Sequence, residues 1–252
     1  MASPTAVLII LAVSAFTPPL LFLALVRRTE RYGQEPWGRL LRTFVWGAVF
    51  AVIVAVLLSL ALFAVFQEFD RVYVFSGQSP SFETLLLALF IAPVTEEFAK
   101  GLGVYLARPM IDEPEDGLIY GAASGFGFAA SENLLYGAAA LIAGGLELSL
   151  LVIGIRSVSS ALLHASASAS FGYGIGIQRL WPARSSAFPY YLLAVGMHSL
   201  FNLFASLGEL PSLGLGENAA LIGLLGAIGL AIAAFAVIRA KIRASDEARV
   251  AH

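Results

Sequence analysis

The sequence predicts an all-α, polytopic membrane protein, and three observations predict it. Of 252 residues, 59% are hydrophobic and 13% charged, with a mean hydropathy of +0.84. Apolar runs exceed the roughly 18 to 20 residues that a helix needs to cross a bilayer core. Basic residues concentrate in alternate connectors. A helical bundle of about seven transmembrane helices follows, at about 4–26, 43–66, 82–107, 117–142, 156–178, 187–207 and 217–239.

The first span opens after "MASP" with no basic residue before its apolar stretch, so it is expected to be retained rather than cleaved as a signal. The second follows the basic connector "RRTERYGQEPWGRLLR". The third begins "ETLLLALF", carries "APVTEEFAKG" and ends "LGVYLA". The fourth contains "GAASGFGFAAS", whose small residues suit close helix packing. After it, "GLELSLLVIGI" fits an interfacial helix, a re-entrant piece or an extension of the fifth span, which has Arg156 near its outer end. The sixth holds "GMHSLFN", and the seventh leads into a charged tail. No internal repeat or separate soluble segment is visible, so residues 1–252 read as one membrane domain.

Orientation follows from charge. Arg27, Arg28, Arg31, Arg39 and Arg42 precede span two, Arg108 follows span three, and Arg179 and Arg184 follow span five. Arg239, Lys241, Arg243 and Arg249 follow span seven, while the alternate connectors carry only Arg71. The N-terminus is therefore expected outside and the C-terminus in the cytoplasm, as for a multi-pass protein of a bacterial plasma membrane. A net charge of −2 without a large basic block gives no reason to invoke nucleic acid. The absence of cysteine excludes disulfides, thiol nucleophiles and thiolate metal sites.

Against this background the ionisable residues inside spans stand out: Glu96, Glu97 and Lys100, then Glu132, His164 and His198. Each costs several kcal/mol in hydrocarbon unless it is paired, coordinated or faces a water-filled cavity. At about 1.5 Å per residue, Glu97 and His198 lie roughly 15 to 16 Å from the cytoplasmic end, and Glu132 and His164 about 21 to 23 Å. Four consecutive helices thus bring carboxylates or imidazoles to similar depth. Glu96 and Lys100 are i,i+4 and suit an intrahelical ion pair that leaves Glu97 free. His164 with Ser168, and His198 with Asn202, have the same spacing, so each imidazole has a polar companion able to orient it or to support a developing oxyanion.

Singly, each of these residues has a structural explanation as an ion pair or an interhelical hydrogen bond. Together they fit Zn²⁺, which takes imidazole nitrogen and carboxylate oxygen. A spare glutamate beside such an ion suits peptide hydrolysis without a covalent intermediate. Ser124-Gly125 is preceded by Ala122 rather than the glycine of a rhomboid-type serine motif, no H-E-x-x-H occurs, and no span holds a mid-depth Asp. The alternative from another class is a proton- or cation-coupled transporter, although the inverted repeats common in transporters are missing. A non-catalytic chaperone or sensor is a third reading.

The order "ERYGQEPWGRLLRTFVWGA", "PVTEEFAKG", "EDGLIYGAASGFGFAASENLLYG", "LLHASASASFGYGIG" and "GMHSLFN" resembles the PrsW family of intramembrane proteases, itself similar to the type II CAAX prenyl endopeptidase and Abi group. The resemblance runs from about Glu30 to Asn202 and places the catalytic core at about 82–207. It implies a glutamate-dependent, metal-dependent protease of membrane-protein or peptide substrates in the lipid bilayer, with the first cut in an anti-sigma factor as the family's best-known activity. Its E-E-x-x-K motif falls on Glu96, Glu97 and Lys100, its F-A-x-x-E-N motif on Phe128, Ala129, Glu132 and Asn133, and its histidines on His164 and His198, the latter with Asn202. Glu96 is then expected as general base, with Glu97, Glu132, His164 and His198 as zinc ligands and Lys100 tuning the glutamates. Asn202 would orient His198 or stabilise the oxyanion, and Asn133, Ser168 and Phe128 would support the site. The CAAX relatives carry a His where Glu132 stands, and the two glutamate roles are interchangeable on this basis.

Overall fold

A computed structural model describes residues 3–74, 80–210 and 216–250. His252 and part of the connector after Phe69 lie outside them. All regular structure among the described residues is helical. Ser3 caps α1 (Pro4–Arg27), its hydroxyl accepting from the Ala6 amide at 3.2 Å, with Pro4 supplying a preset φ at the first turn. Helix α2 (Trp37–Val45) runs through a π turn at Trp46–Ala51 into α3 (Val52–Tyr73). Helix α4 (Pro80–Leu86) passes through a second π turn, Leu87–Ile91, into α5 (Ala92–Ala107). Then come α6 (Pro114–Val158), α7 (Ser160–Leu180), α8 (Phe188–Ala205) and α9 (Ala219–Val250).

Among the described residues, four continuous helical stretches are long and apolar enough to cross a membrane: Pro4–Arg27, Trp37–Tyr73, Pro114–Leu180 and Gly216–Ala248. The side chains that face outward agree with a lipid environment. Ile53, Leu57 and Leu60 of α3 and Leu221, Leu225 and Val237 of α9 are all exposed.

At the centre lies α6, whose residues 115–130 are all buried. Glycine, alanine and serine dominate this stretch, so other helices can approach its backbone. Against α7 the approach is close enough that a Cβ on Gly121 would run into the Ser168 carbonyl, and one on Gly125 into that of His164. The same core takes in Leu23 and Val26 of α1, Phe44 of α2 and Phe235 of α9.

Two elements differ from the sequence expectation. The chain turns sharply at Gly144 and Gly145, the latter at φ +80°, and then continues as helix back along the end of α6. Only a residue without Cβ takes that φ readily. The Ser149 hydroxyl donates to the Gly137 carbonyl at 2.7 Å, and Ile153 packs on Gly137. Thus "GLELSLLVIGI" is a folded-back helix. Arg156 lies on it rather than at the outer end of the fifth span, because α7 starts at Ser160.

The π turn before α5 also has a local cause. Pro93 has no N–H to donate and its ring crowds the preceding turn, so regular α-helical bonding cannot run through it. The Ala88 carbonyl accepts from Asn202 Nδ2 of α8 at 2.7 Å. This bond ties α8 to the π turn about two helical turns before Glu96.

Candidate active site

Helices α5, α6, α7 and α8 bring their ionisable residues together at the wall of a cavity of about 550 Å³. Glu96, Glu132, His164, His198, Asn202 and Arg156 all line it. Glu97 and Lys100 sit behind that wall, both fully buried.

Glu97 is held on both oxygens. Its Oε1 accepts from Lys100 Nζ at 2.6 Å and from His198 Nδ1 at 3.0 Å, and its Oε2 accepts from Ser168 Oγ at 2.9 Å. The pairing inverts the expected one, for Lys100 Nζ stands 3.9 Å from Glu96. The cause lies across the interface. Nζ also sits 2.8 Å from His164 Nδ1 and 4.6 Å over the Phe128 ring, which draw it to the α6–α7 side where Glu97 is already anchored by Ser168. Ser168, expected as the companion of His164, thus serves Glu97.

The two imidazoles stand edge to face with centroids 4.6 Å apart. With Nδ1 donating to the Glu97 carboxylate, His198 turns Nε2 towards the cavity, 3.8 Å from Glu96 Oε2. Metal-binding histidines are commonly oriented this way, one ring N–H spent on a carboxylate. In His164, Nδ1 faces the Lys100 ammonium, a donor, so the ring proton belongs on Nε2 and donates to Glu132 Oε2 at 2.8 Å. Phe128 flanks this ring at 5.5 Å between centroids.

Glu96 differs from its neighbour. Its Oε2 is buried and has no hydrogen-bond partner among the described residues. One ligand atom each from Glu96, His164 and His198 lie within 4.8 Å of one another. An unpartnered carboxylate oxygen facing two imidazoles fits a divalent metal such as zinc by donor type and by the local need for positive charge.

Comparison with known proteins gives the chemistry its context. Residues 35–238 match the model of the PrsW family intramembrane metalloproteases. The chain belongs to the PrsW family. It is 27% identical over 184 residues to "Protease PrsW" of Clostridioides difficile (strain 630), covering 72% of this chain and 71% of that one. It is 30% identical over 154 residues to "Protease PrsW" of Geobacillus kaustophilus (strain HTA426), covering 58% and 55%. No solved structure matches it significantly. Membership in the PrsW family makes the protein a multi-pass membrane peptide hydrolase with a protein substrate in the membrane, and nothing in the comparisons supports a transporter.

Tyr136 and Arg156 are among the cavity residues to which the sequence assigns no role. Tyr136 lies one turn beyond Glu132, and Arg156 holds Glu132 at 2.7 Å. The available signal was Arg156 itself, an arginine in an apolar run far from the basic connectors. Asn133, expected to support the site, accepts from Arg156 Nε at 3.0 Å. Asn202 reaches the cavity, but its amide donates to the Ala88 carbonyl rather than to His198.

Proposed function

We propose that this cavity hydrolyses peptide bonds of membrane-protein substrates through a glutamate- and metal-dependent mechanism, in a seven-span bundle with N-terminus outside and C-terminus in the cytoplasm of a bacterial plasma membrane. The observation that carries the reading is the meeting of Glu96, His164 and His198 ligand atoms within 4.8 Å of one another at the cavity wall. An anti-sigma factor as substrate, cut first in a proteolytic cascade, is proposed on the sequence resemblance alone.

Glu96, His164 and His198 would hold the ion, His164 through Nε2, where the metal would replace the ring proton now shared with Glu132. This departs from the sequence expectation of Glu97 and Glu132 as ligands, because both Glu97 oxygens are spent on Lys100, His198 and Ser168, and Glu132 Oε2 is held by Arg156. Zinc held there would supply Lewis-acid polarisation to the scissile carbonyl and to the water that attacks it. Glu97 fixes the His198 ring and offsets the Lys100 charge. Glu132 offers the cavity a carboxylate that takes the proton from water and returns it to the leaving amine. Asn202 keeps its second amide proton for the oxyanion.

A second allocation is favoured by the unpartnered Oε2 of Glu96: Glu96 itself takes the proton, as the sequence reading had it. Metal content and cleavage of a membrane-peptide substrate, measured on wild type, Glu96→Gln, Glu132→Gln and His198→Ala, test both. The first allocation predicts about one zinc per chain in wild type, lost in Glu96→Gln and His198→Ala but kept in inactive Glu132→Gln. Zinc kept in an inactive Glu96→Gln would establish the second. Cleavage by folded His198→Ala and Glu96→Gln would remove the site from the reaction.

A further inference from the structure

We propose that an anionic phospholipid binds in a groove between α2 and α5, its phosphate on Arg42 and an acyl chain along Trp46 and Phe50. Two hollows meet there. One, of about 390 Å³, is lined by Gly38, Leu41, Arg42, Val45, Trp46 and Phe50. The other, of about 220 Å³, reaches from Arg42 and Trp46 across to Gly103 and Leu106 of α5 and to Met110 just beyond it. Arg42 and Trp46 line both.

A few residues build the groove. Gly103 has no Cβ, and one added there would run into the Trp46 ring, so the indole lies directly against α5. Its N–H donates to the Ala99 carbonyl at 3.0 Å, and Phe50 stacks on it with centroids 5.4 Å apart. Gly38, where an added Cβ would meet nothing within 4 Å, leaves the Arg42 end open. Leu41, Val45 and Phe50 are exposed along the rim.

Charge selects the occupant. Arg42 spends its Nε proton on the Gly38 carbonyl at 3.1 Å, which leaves both Nη groups for a ligand. Among the described residues no carboxylate pairs with it and none lines either hollow. Arg39, on the preceding turn, is by contrast paired with Glu35 at 3.6 Å. A guanidinium fork takes phosphate oxygens two at a time. A zwitterionic headgroup would bring a cation that finds no carboxylate here, so the complement is an anionic lipid. Depth agrees, since the stretch from Arg42 to Phe50 rises about 12 Å. With the arginine at headgroup level, the rings lie beside the upper acyl chain, where interfacial tryptophan is common. On the orientation proposed above this is the cytoplasmic leaflet, whose anionic lipids attract such side chains.

The test places the full chain in phosphatidylcholine vesicles, with brominated phosphatidylglycerol or brominated phosphatidylcholine as quencher. The chain has three tryptophans, so Trp37→Phe/Trp181→Phe leaves Trp46 as the sole reporter. Neither metal nor substrate is needed, and both leaflets carry the lipid, so the result depends neither on hydrolysis nor on orientation. Trp46 emission should fall at an about five-fold lower fraction of phosphatidylglycerol than of phosphatidylcholine, the scale of one arginine facing an anionic lipid. Arg42→Gln should remove that preference. Arg184→Gln, an exposed arginine that lines neither hollow, should keep it.

Equal quenching by both lipids would mean annular lipid only and overturn the proposal. A preference lost equally in Arg184→Gln would do the same by assigning it to general surface charge, and so would a Trp46 that neither lipid quenches, by showing a groove closed to lipid. Should the two-tryptophan background fail to fold, native mass spectrometry of wild type and Arg42→Gln decides. Phosphatidylglycerol kept by the first and lost by the second supports the site, and equal retention overturns it.

Discussion

Lys100 and Glu97 are fully buried with their charged atoms 2.6 Å apart, and the physics of such pairs makes their removal asymmetric. Deleting one partner strands the other charge away from water, at a cost of about 3–5 kcal/mol, whereas deleting both removes the penalty with the interaction. Glu97→Ala should therefore lower stability in detergent unfolding by that amount. The double variant Glu97→Gln/Lys100→Met should cost less than Glu97→Ala alone, and additive losses in unfolding would contradict the pairing. The choice of Glu97 over Glu96 as the partner of Lys100 was not legible in sequence. Spacings of three and four both bring side chains together on a helix, and the selection is made by Ser168, His164 and Phe128 on other helices. What was legible was the set itself, since every ionisable residue in an apolar run must answer for its cost.

Glu30 makes a second residue-scale case outside the spans. Burial, reinforced by the Asp116, Glu35 and Asp246 carboxylates, pushes its carboxyl up to about 8, even though the Glu35 amide donates to it at 3.0 Å. Its carboxyl is thus held protonated in the folded protein and ionised in the unfolded chain over the intervening pH range. The stability linked to that proton is fully present below the unfolded value near 4.5 and is lost as pH rises through about 8. The unfolding temperature should fall as pH is raised across this window, and Glu30→Gln should flatten the fall. An unchanged slope in the variant would assign the pH dependence to another group.

At the scale of elements, the seam between α6 and α7 sets where His164 and Ser168 stand. Gly125→Val should force the helices apart, costing about 1–3 kcal/mol by overpacking and removing cleavage by displacing His164. Gly154 offers the control. It is exposed on the folded-back helix with nothing within 4 Å of an added Cβ, so Gly154→Ala should be neutral or stabilise by about 0.5–1 kcal/mol. Equal damage from both substitutions would deny the seam its special role. The small-residue run announced close packing in the sequence, but the partner helix and its register did not follow from it. Neither did the fold-back at Gly144–Gly145, because an apolar run reads alike whether it continues a helix or returns along it. The π turns were equally hidden: they are one-residue departures from helical bonding that leave hydrophobic periodicity almost untouched.

For the whole molecule, the proposed orientation can be tested directly because the chain contains no cysteine. A single Ser3→Cys should react with an impermeant thiol reagent in intact cells, and Arg184→Cys only after the membrane is opened. The reverse pattern would invert the topology. Composition made the membrane class plain at once, and charge asymmetry gave an orientation that still awaits this labelling. The element count was harder to read, because α6 and α7 join almost without a break and a π turn separates α4 from α5.

One consequence of the buried α6 spine reaches beyond the site. Residues 115–130 touch protein on all sides, while α3 and α9 carry exposed apolar faces on the outside of the bundle. A thicker or thinner bilayer therefore presses first on an outer hull, and hydrophobic mismatch can be absorbed there by tilt. The keel that carries Glu132 is shielded from that adjustment, so the same catalytic geometry can persist across membranes whose lipid composition varies.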